Sequence, residues 1–108
     1  MSERFRAVDP RGRVVICTDE VWNDHICSGH PEMAGSEDLV RAAIAEPQLE
    51  LIYRDVDEDD RDVYYRRPPD KRYYIKVIVR FDRTRRGLVI TAYRTSSAKS
   101  GERIIWPE

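Results

Sequence analysis

Histidine is nearly missing from this chain: His25 and His30 are the only two in 108 residues. Cysteine is equally scarce, and Cys17 and Cys27 make no disulfide framework, so packing alone must hold the fold. No run approaches the roughly 18 apolar residues that a membrane span needs, so no membrane partner is expected. The opening segment, MSERFRAVDPRGR, lacks the apolar core of a secretory signal, which makes a cytoplasmic location the default expectation. There is no Gly-rich phosphate loop, no nucleophile elbow and no paired-carboxylate motif. These absences leave imidazoles, hydroxyls and cations as the material for any chemistry.

Charge, by contrast, is abundant. Charged residues make up 36% of the chain, yet the net charge is only −1. Residues 1–62 carry 7 basic and 16 acidic side chains, whereas residues 63–108 carry 12 basic and 4 acidic ones. A basic half displayed on a sheet suits an anionic polymer, while interleaving of the two signs on folding would erase the contrast. The length corresponds to one domain, residues 1–108, with one modest core.

The strongest pattern is Tyr73–Thr95. Ile75, Val77, Val79 and Phe81 alternate with Tyr74, Lys76, Ile78 and Arg80, and a second alternating run follows the turn Asp82–Gly87. Period two in β-branched and aromatic residues predicts a long hairpin at the centre of a sheet. Gly87 is the natural residue to take the positive φ of its turn. Shorter strands are predicted at Arg13–Cys17, Leu49–Asp55 and Val63–Arg67. Asp57–Asp62 reads as a solvated acidic loop, residues 1–12 as a polar leader or short edge, and Ile104–Trp106 as an anchor for the tail.

Two helices are predicted between the first strands. Thr18 offers an N-cap to a helix reaching about Ser28, with Val21, Trp22, His25, Ile26 and Gly29 on one face. Pro31 prevents its continuation. Ser36 caps a second helix, with Leu39, Val40, Ala43 and Ile44 as its apolar stripe and Pro47 as its stop. The expected architecture is therefore α+β: two N-terminal helices on a largely antiparallel sheet of four to five strands.

Both imidazoles fall in WNDHICSGHPEM. His25 and His30 in separate environments could serve as acid and base, with Glu32 orienting His30. Packing alone would instead bury His25 beside Trp22 and leave His30 as a polar cap. A metal set drawn from His25, Cys27 and His30 matches no standard zinc spacing, so neither metal nor other cofactor is expected. Lys76, Thr91 and Tyr93 are polar groups among apolar strand residues. Six tyrosines interleave with Arg54, Arg66, Arg67, Arg72, Lys76 and Arg94, a composition suited to stacking bases and neutralising phosphates. Tyrosine is also an ordinary strand former.

The ordered set Trp22-x2-His25-Ile26, His30-Pro31-Glu32-Met33, Tyr64-Tyr65, Tyr73-x-Ile75-Lys76-Val77, Gly87-x-Val89-Ile90-Thr91-Ala92-Tyr93 and Ile105-Trp106 resembles a phage- and bacteria-associated family. That family is grouped with the barnase–EndoU–colicin–RelE-like nucleases. The resemblance spans residues 14 to 106. It implies a barnase/RelE-like sheet and a metal-independent ribonuclease, with RNA, single-stranded or tRNA, as substrate; a toxin of this kind would have a neutralising protein partner. On such a site, acid–base work falls to His30 and His25, stabilisation of the phosphorane to Lys76, and positioning to Thr91 and Tyr93. Arg54, Arg66, Arg67 and Arg94 are the expected RNA contacts. The rival expectations are a non-catalytic module that binds nucleic acid or protein on the same fold, and an inert structural domain.

Overall fold

The computed structural model describes residues 2–107. The hairpin forms as β5 (Tyr74–Phe81) and β6 (Gly87–Thr95), antiparallel and in the middle of the sheet. Around it lie β1 (Glu3–Val8), β2 (Val14–Thr18), β3 (Ile52–Arg54), β4 (Arg61–Arg66) and β7 (Arg103–Trp106). The spatial order is β1-β2-β6-β5-β4-β3-β7. All neighbours are antiparallel except β2 and β6, which run parallel through Val15↔Gly87 and Ile16↔Leu88. A bulge between Ile78 and Val79 breaks the β5–β6 register, so the alternation of β6 shifts there.

This overturns the expectation of two helices on four to five strands. The sheet has seven strands and is mixed, and the chain has one regular helix, α1 (Glu37–Ala45), plus a short π-wound stretch, Val21–Cys27. The extra strands come from polar segments. The supposed leader is β1, whose Phe5 and Ala7 are buried while Arg4 and Arg6 face outward to Glu37, Asp19 and Glu3. The tail forms β7 against β3. Edge strands bury only part of their side chains, so their alternation is diluted by charge.

One face of the sheet carries the core. Ile75, Val77 and Val79 are fully buried there with Tyr64 of β4, and α1 packs over β1, β4 and β5 through Val40, Ala43 and Ile44. Each such aliphatic side chain contributes about 1.5–3 kcal/mol on burial. Thr18 Oγ1 accepts from the Val21 amide at 3.2 Å, as its capping role requires. Trp22 and Ile26 are buried, and Phe5 meets Trp22 edge-on at 5.9 Å. His25 does not share their face. A π-winding bonds i to i+5 and makes a wider turn, so the residue three after Trp22 lags further round and reaches solvent.

Two further expectations fail for local reasons. Gly87 keeps negative φ; the left-handed residue of the turn is Arg85, at φ 65°. Gly87 is required by space instead, because a Cβ there would lie 2.7 Å from Val79 Cγ1 and 2.8 Å from Phe81 Cε1. Asp62 is not solvated loop but the second residue of β4, 2% exposed. Its carboxylate takes Arg13 Nη2 at 2.7 Å and Arg54 Nε at 3.2 Å. Asp9 Oδ2 completes the cluster, accepting from Arg13 Nε at 2.9 Å and from the Tyr64 hydroxyl at 2.8 Å. Two arginines and two aspartates balance, which is how charge is tolerated at this depth.

Candidate functional site

The opposite face of the sheet has no helix on it, and a row crosses it at Tyr65, Lys76 and Tyr93, which are register partners on β4, β5 and β6. The Lys76 ammonium sits 5.5 Å from the Tyr65 ring centroid and 5.8 Å from that of Tyr93. Lys76 is only 3% exposed. The segment after β6 folds back over this row and brings Glu102 Oε2 to 3.0 Å from Lys76 Nζ. The two opposite charges form a buried ion pair. The Tyr65 hydroxyl donates to Glu102 Oε1, and the Lys99 amide donates to the Tyr65 oxygen at 3.2 Å. Burial opposes the lysine charge, but Glu102 and Tyr65 outweigh it, and the Lys76 pKa is raised above the ordinary lysine value. Burial and the bond to Glu102 push the Tyr65 phenol up to about 12.

His30 arrives from the side. β2 pairs only with Gly87 and Leu88, so the rest of that edge of β6 has no strand beside it, and the π-wound stretch packs there instead. His30 ends this stretch, its amide donating to the Ile26 carbonyl at 2.8 Å. Its imidazole stacks on Tyr93, centroids 5.1 Å apart and planes at 23°. Two residues on, the Glu32 carbonyl accepts from Arg94 Nη2 at 3.2 Å. Tyr93 and Arg94 point to opposite faces, so His30–Glu32 straddles the β6 edge. His30 Nδ1 lies 3.6 Å from Glu32 Oε1, too long for a hydrogen bond, and both side chains are 39% exposed.

The structure therefore brings together His30, Glu32, Tyr93 and Lys76, with Thr91 two residues before Tyr93 on the same face. It does not bring in His25, which is exposed elsewhere on the π-wound stretch. Nor do the arginines gather. Arg54 is held by Asp62, Arg66 donates to the Glu46 carbonyl at 2.7 Å, Arg67 is exposed beyond β4, and Arg94 lies over the Tyr73 ring at 4.4 Å on the helix side. Among the described residues, no three His, Cys, Asp or Glu side chains converge as a metal site would require.

Glu102 and the organising role of Tyr65 escaped sequence reading. The available signal was physical: a lysine in an apolar strand demands an anion, and residues 63–108 hold only 4 acids. Beside the row lies a cavity of about 340 Å³ lined by Tyr53, Tyr65, Tyr74, Leu49 and Ser96–Ala98. Tyr53 meets Tyr65 edge-on at 5.6 Å. No protein-family model matches the chain, and neither a curated protein nor a solved structure resembles it, so its function is argued from this geometry.

Proposed function

We propose that the protein is a ribonuclease that uses the RNA 2′-hydroxyl as nucleophile, with His30 as the proton-transferring group. The observation behind this reading is the His30–Tyr93 stack: a half-exposed imidazole fixed by a ring, with Glu32 beside its Nδ1, at the edge of the sheet face that carries no helix. In this reading His30 takes the proton of the 2′-hydroxyl as it attacks phosphorus and returns it to the leaving 5′-oxygen, while Tyr93 and Thr91 position the phosphate. The tyrosine-lined cavity accepts a neighbouring base by stacking. Lys76 is placed to stabilise the phosphorane only when Glu102 gives way to substrate phosphate.

Neutralisation of Lys76 also favours a second reading, an RNA-binding module without catalysis, because the cation that cleavage needs is already satisfied. One experiment separates them. Purified protein is incubated with single-stranded RNA, with tRNA, and with an oligonucleotide carrying 2′-deoxyribose at the cut site. Catalysis yields 2′,3′-cyclic phosphate ends, leaves the deoxy substrate bound but intact, and falls by about 10²–10⁴ in His30→Ala with the fold retained. Binding without cleavage of any RNA selects the module. Equal cutting of the deoxy substrate refutes the proposed nucleophile.

A further inference from the structure

Parallel pairing of β2 with β6 has a consequence at the far end of the sheet. Strands that start together place the turns before them side by side, here Pro10–Arg13 and Asp82–Arg86. Between these turns is a cavity of about 320 Å³ lined by Arg11, Gly12, Arg13, Val14, Thr84, Arg85 and Arg86. None of the lining side chains is acidic. Arg13 is already balanced by Asp9 and Asp62. Asp82 is occupied in shaping the turn, its Oδ1 accepting from the Thr84 amide at 2.8 Å, the Thr84 hydroxyl and the Arg86 amide at 3.1 Å. Arg11 is steadied over the Trp106 ring at 5.5 Å. Among the described residues, Arg85 and Arg86 form no ion pair. Arg6 holds the Glu3 carboxyl, and Thr84 that of Asp82, below its ordinary pKa, and Arg86 lies close enough to help at both.

The backbone supplies an independent observation. Arg85 holds φ 65°, where glycine or asparagine is the ordinary choice. A strained non-glycine position that keeps a guanidinium beside a cavity points to a use for that guanidinium. Arg11, Arg85 and Arg86 line one concavity without forming an ion pair among the described residues, and each guanidinium presents a donor fork matched to a tetrahedral oxyanion. We propose that this cleft binds the phosphate group of a phosphorylated ligand, held by Arg11, Arg85 and Arg86. The phosphate belongs either to an RNA strand or to a free nucleotide. The site lies six residues along β6 from Tyr93, roughly 20 Å away, and its occupancy does not depend on cleavage there.

The test is titration calorimetry with inorganic pyrophosphate at low ionic strength. Wild type binds, and Arg85→Gln/Arg86→Gln weakens binding at least about tenfold, since each lost charge-assisted bond is worth that much. Arg83→Gln, on the same turn but not lining the cavity, leaves the affinity unchanged. Arg85→Gly relieves the backbone, so it raises the unfolding midpoint while lowering affinity; this opposition separates a binding role from a structural one. Competition then assigns the source. Displacement of pyrophosphate by single-stranded RNA at concentrations where nucleoside monophosphate is inert places the phosphate on a strand, and equal displacement by the monophosphate places it on a free nucleotide. No pyrophosphate binding by wild type, or an equal loss in Arg83→Gln, overturns the proposal.

Discussion

Replacing Lys76 by methionine leaves Glu102 as a carboxylate whose side chain is 1% exposed and has lost the cation that pairs with it. At 3.0 Å and an effective dielectric near 20, the pair attracts by roughly 5–6 kcal/mol. Desolvating each ion costs several kcal/mol, so the net contribution of the intact pair is small. Removing one partner is different, because the other charge remains buried alone; the loss is then about 3–5 kcal/mol. Lys76→Met and Glu102→Gln should each destabilise by that amount. Glutamine keeps an oxygen for the Tyr65 hydroxyl, so the loss reports charge rather than that bond. The double variant Lys76→Met/Glu102→Gln buries no charge at the site and should lie within about 1 kcal/mol of wild type, giving a coupling energy of about 5 kcal/mol or more. Urea unfolding of the four proteins measures this directly. A single-variant loss below about 1 kcal/mol, or losses that simply add, would show that the pair behaves as a solvent-exposed bridge and that the reasoning is wrong.

The same row sets the response to alkali. Lys76 has a raised pKa, so its stabilisation is complete below the ordinary lysine value of 10.5 and is lost as pH rises towards the folded value. Burial also raises the phenols of Tyr64 and Tyr65, which must stay neutral in the fold, so stability should fall from about pH 10 upward, and Lys76→Met should show a shallower decline in thermal melts taken between pH 9 and 11. Gly87→Ala forces a methyl against Val79 and Phe81 and should cost about 1–3 kcal/mol in chemical denaturation, although φ at Gly87 is ordinary; a neutral result would show that the hairpin yields there.

Periodicity revealed the centre of the fold and missed its margins. β5 and α1 have uninterrupted apolar stripes because both sit against the core, while the stripe of β6 is displaced by the bulge. β1 hides a two-residue stripe, Phe5 and Ala7, among charges that pair across the surface. Asp62 looked like the end of an acidic run, since nothing local shows that Arg13, 49 residues earlier, lies against it. His30 was visible in the sequence but its ring partner was not. His30 stacks on Tyr93 only because β2 stops short on β6 and leaves an edge for the π-wound stretch, a tertiary event without a local signature. Helical spacing put His25 beside Trp22, and the π-winding removed it.

Few ion pairs among the described residues join the acidic half of the sequence to the basic half. The acidic half balances most of its own arginines: Arg4 with Asp19 and Glu37, and Arg13 and Arg54 with Asp9 and Asp62. Among the described residues, only Arg66–Glu46 and Lys99–Asp57 join one half to the other, and both are exposed, weak contacts. The basic excess of residues 63–108 therefore remains on the surface, at Arg67–Arg72 and Arg83–Arg86, the two turns that flank β5. Lys76, the cation nearest the His30–Tyr93 stack, contributes little field because Glu102 cancels it. In the proposed ribonuclease reading, an approaching RNA would be met first by the exposed charge of the turns and would reach the stack with Lys76 still covered. Electrostatic capture and any chemistry at His30 are consequently separable: salt should weaken the first by screening exposed arginines, while the second depends on whether phosphate can take the position of Glu102 beneath a segment that excludes water.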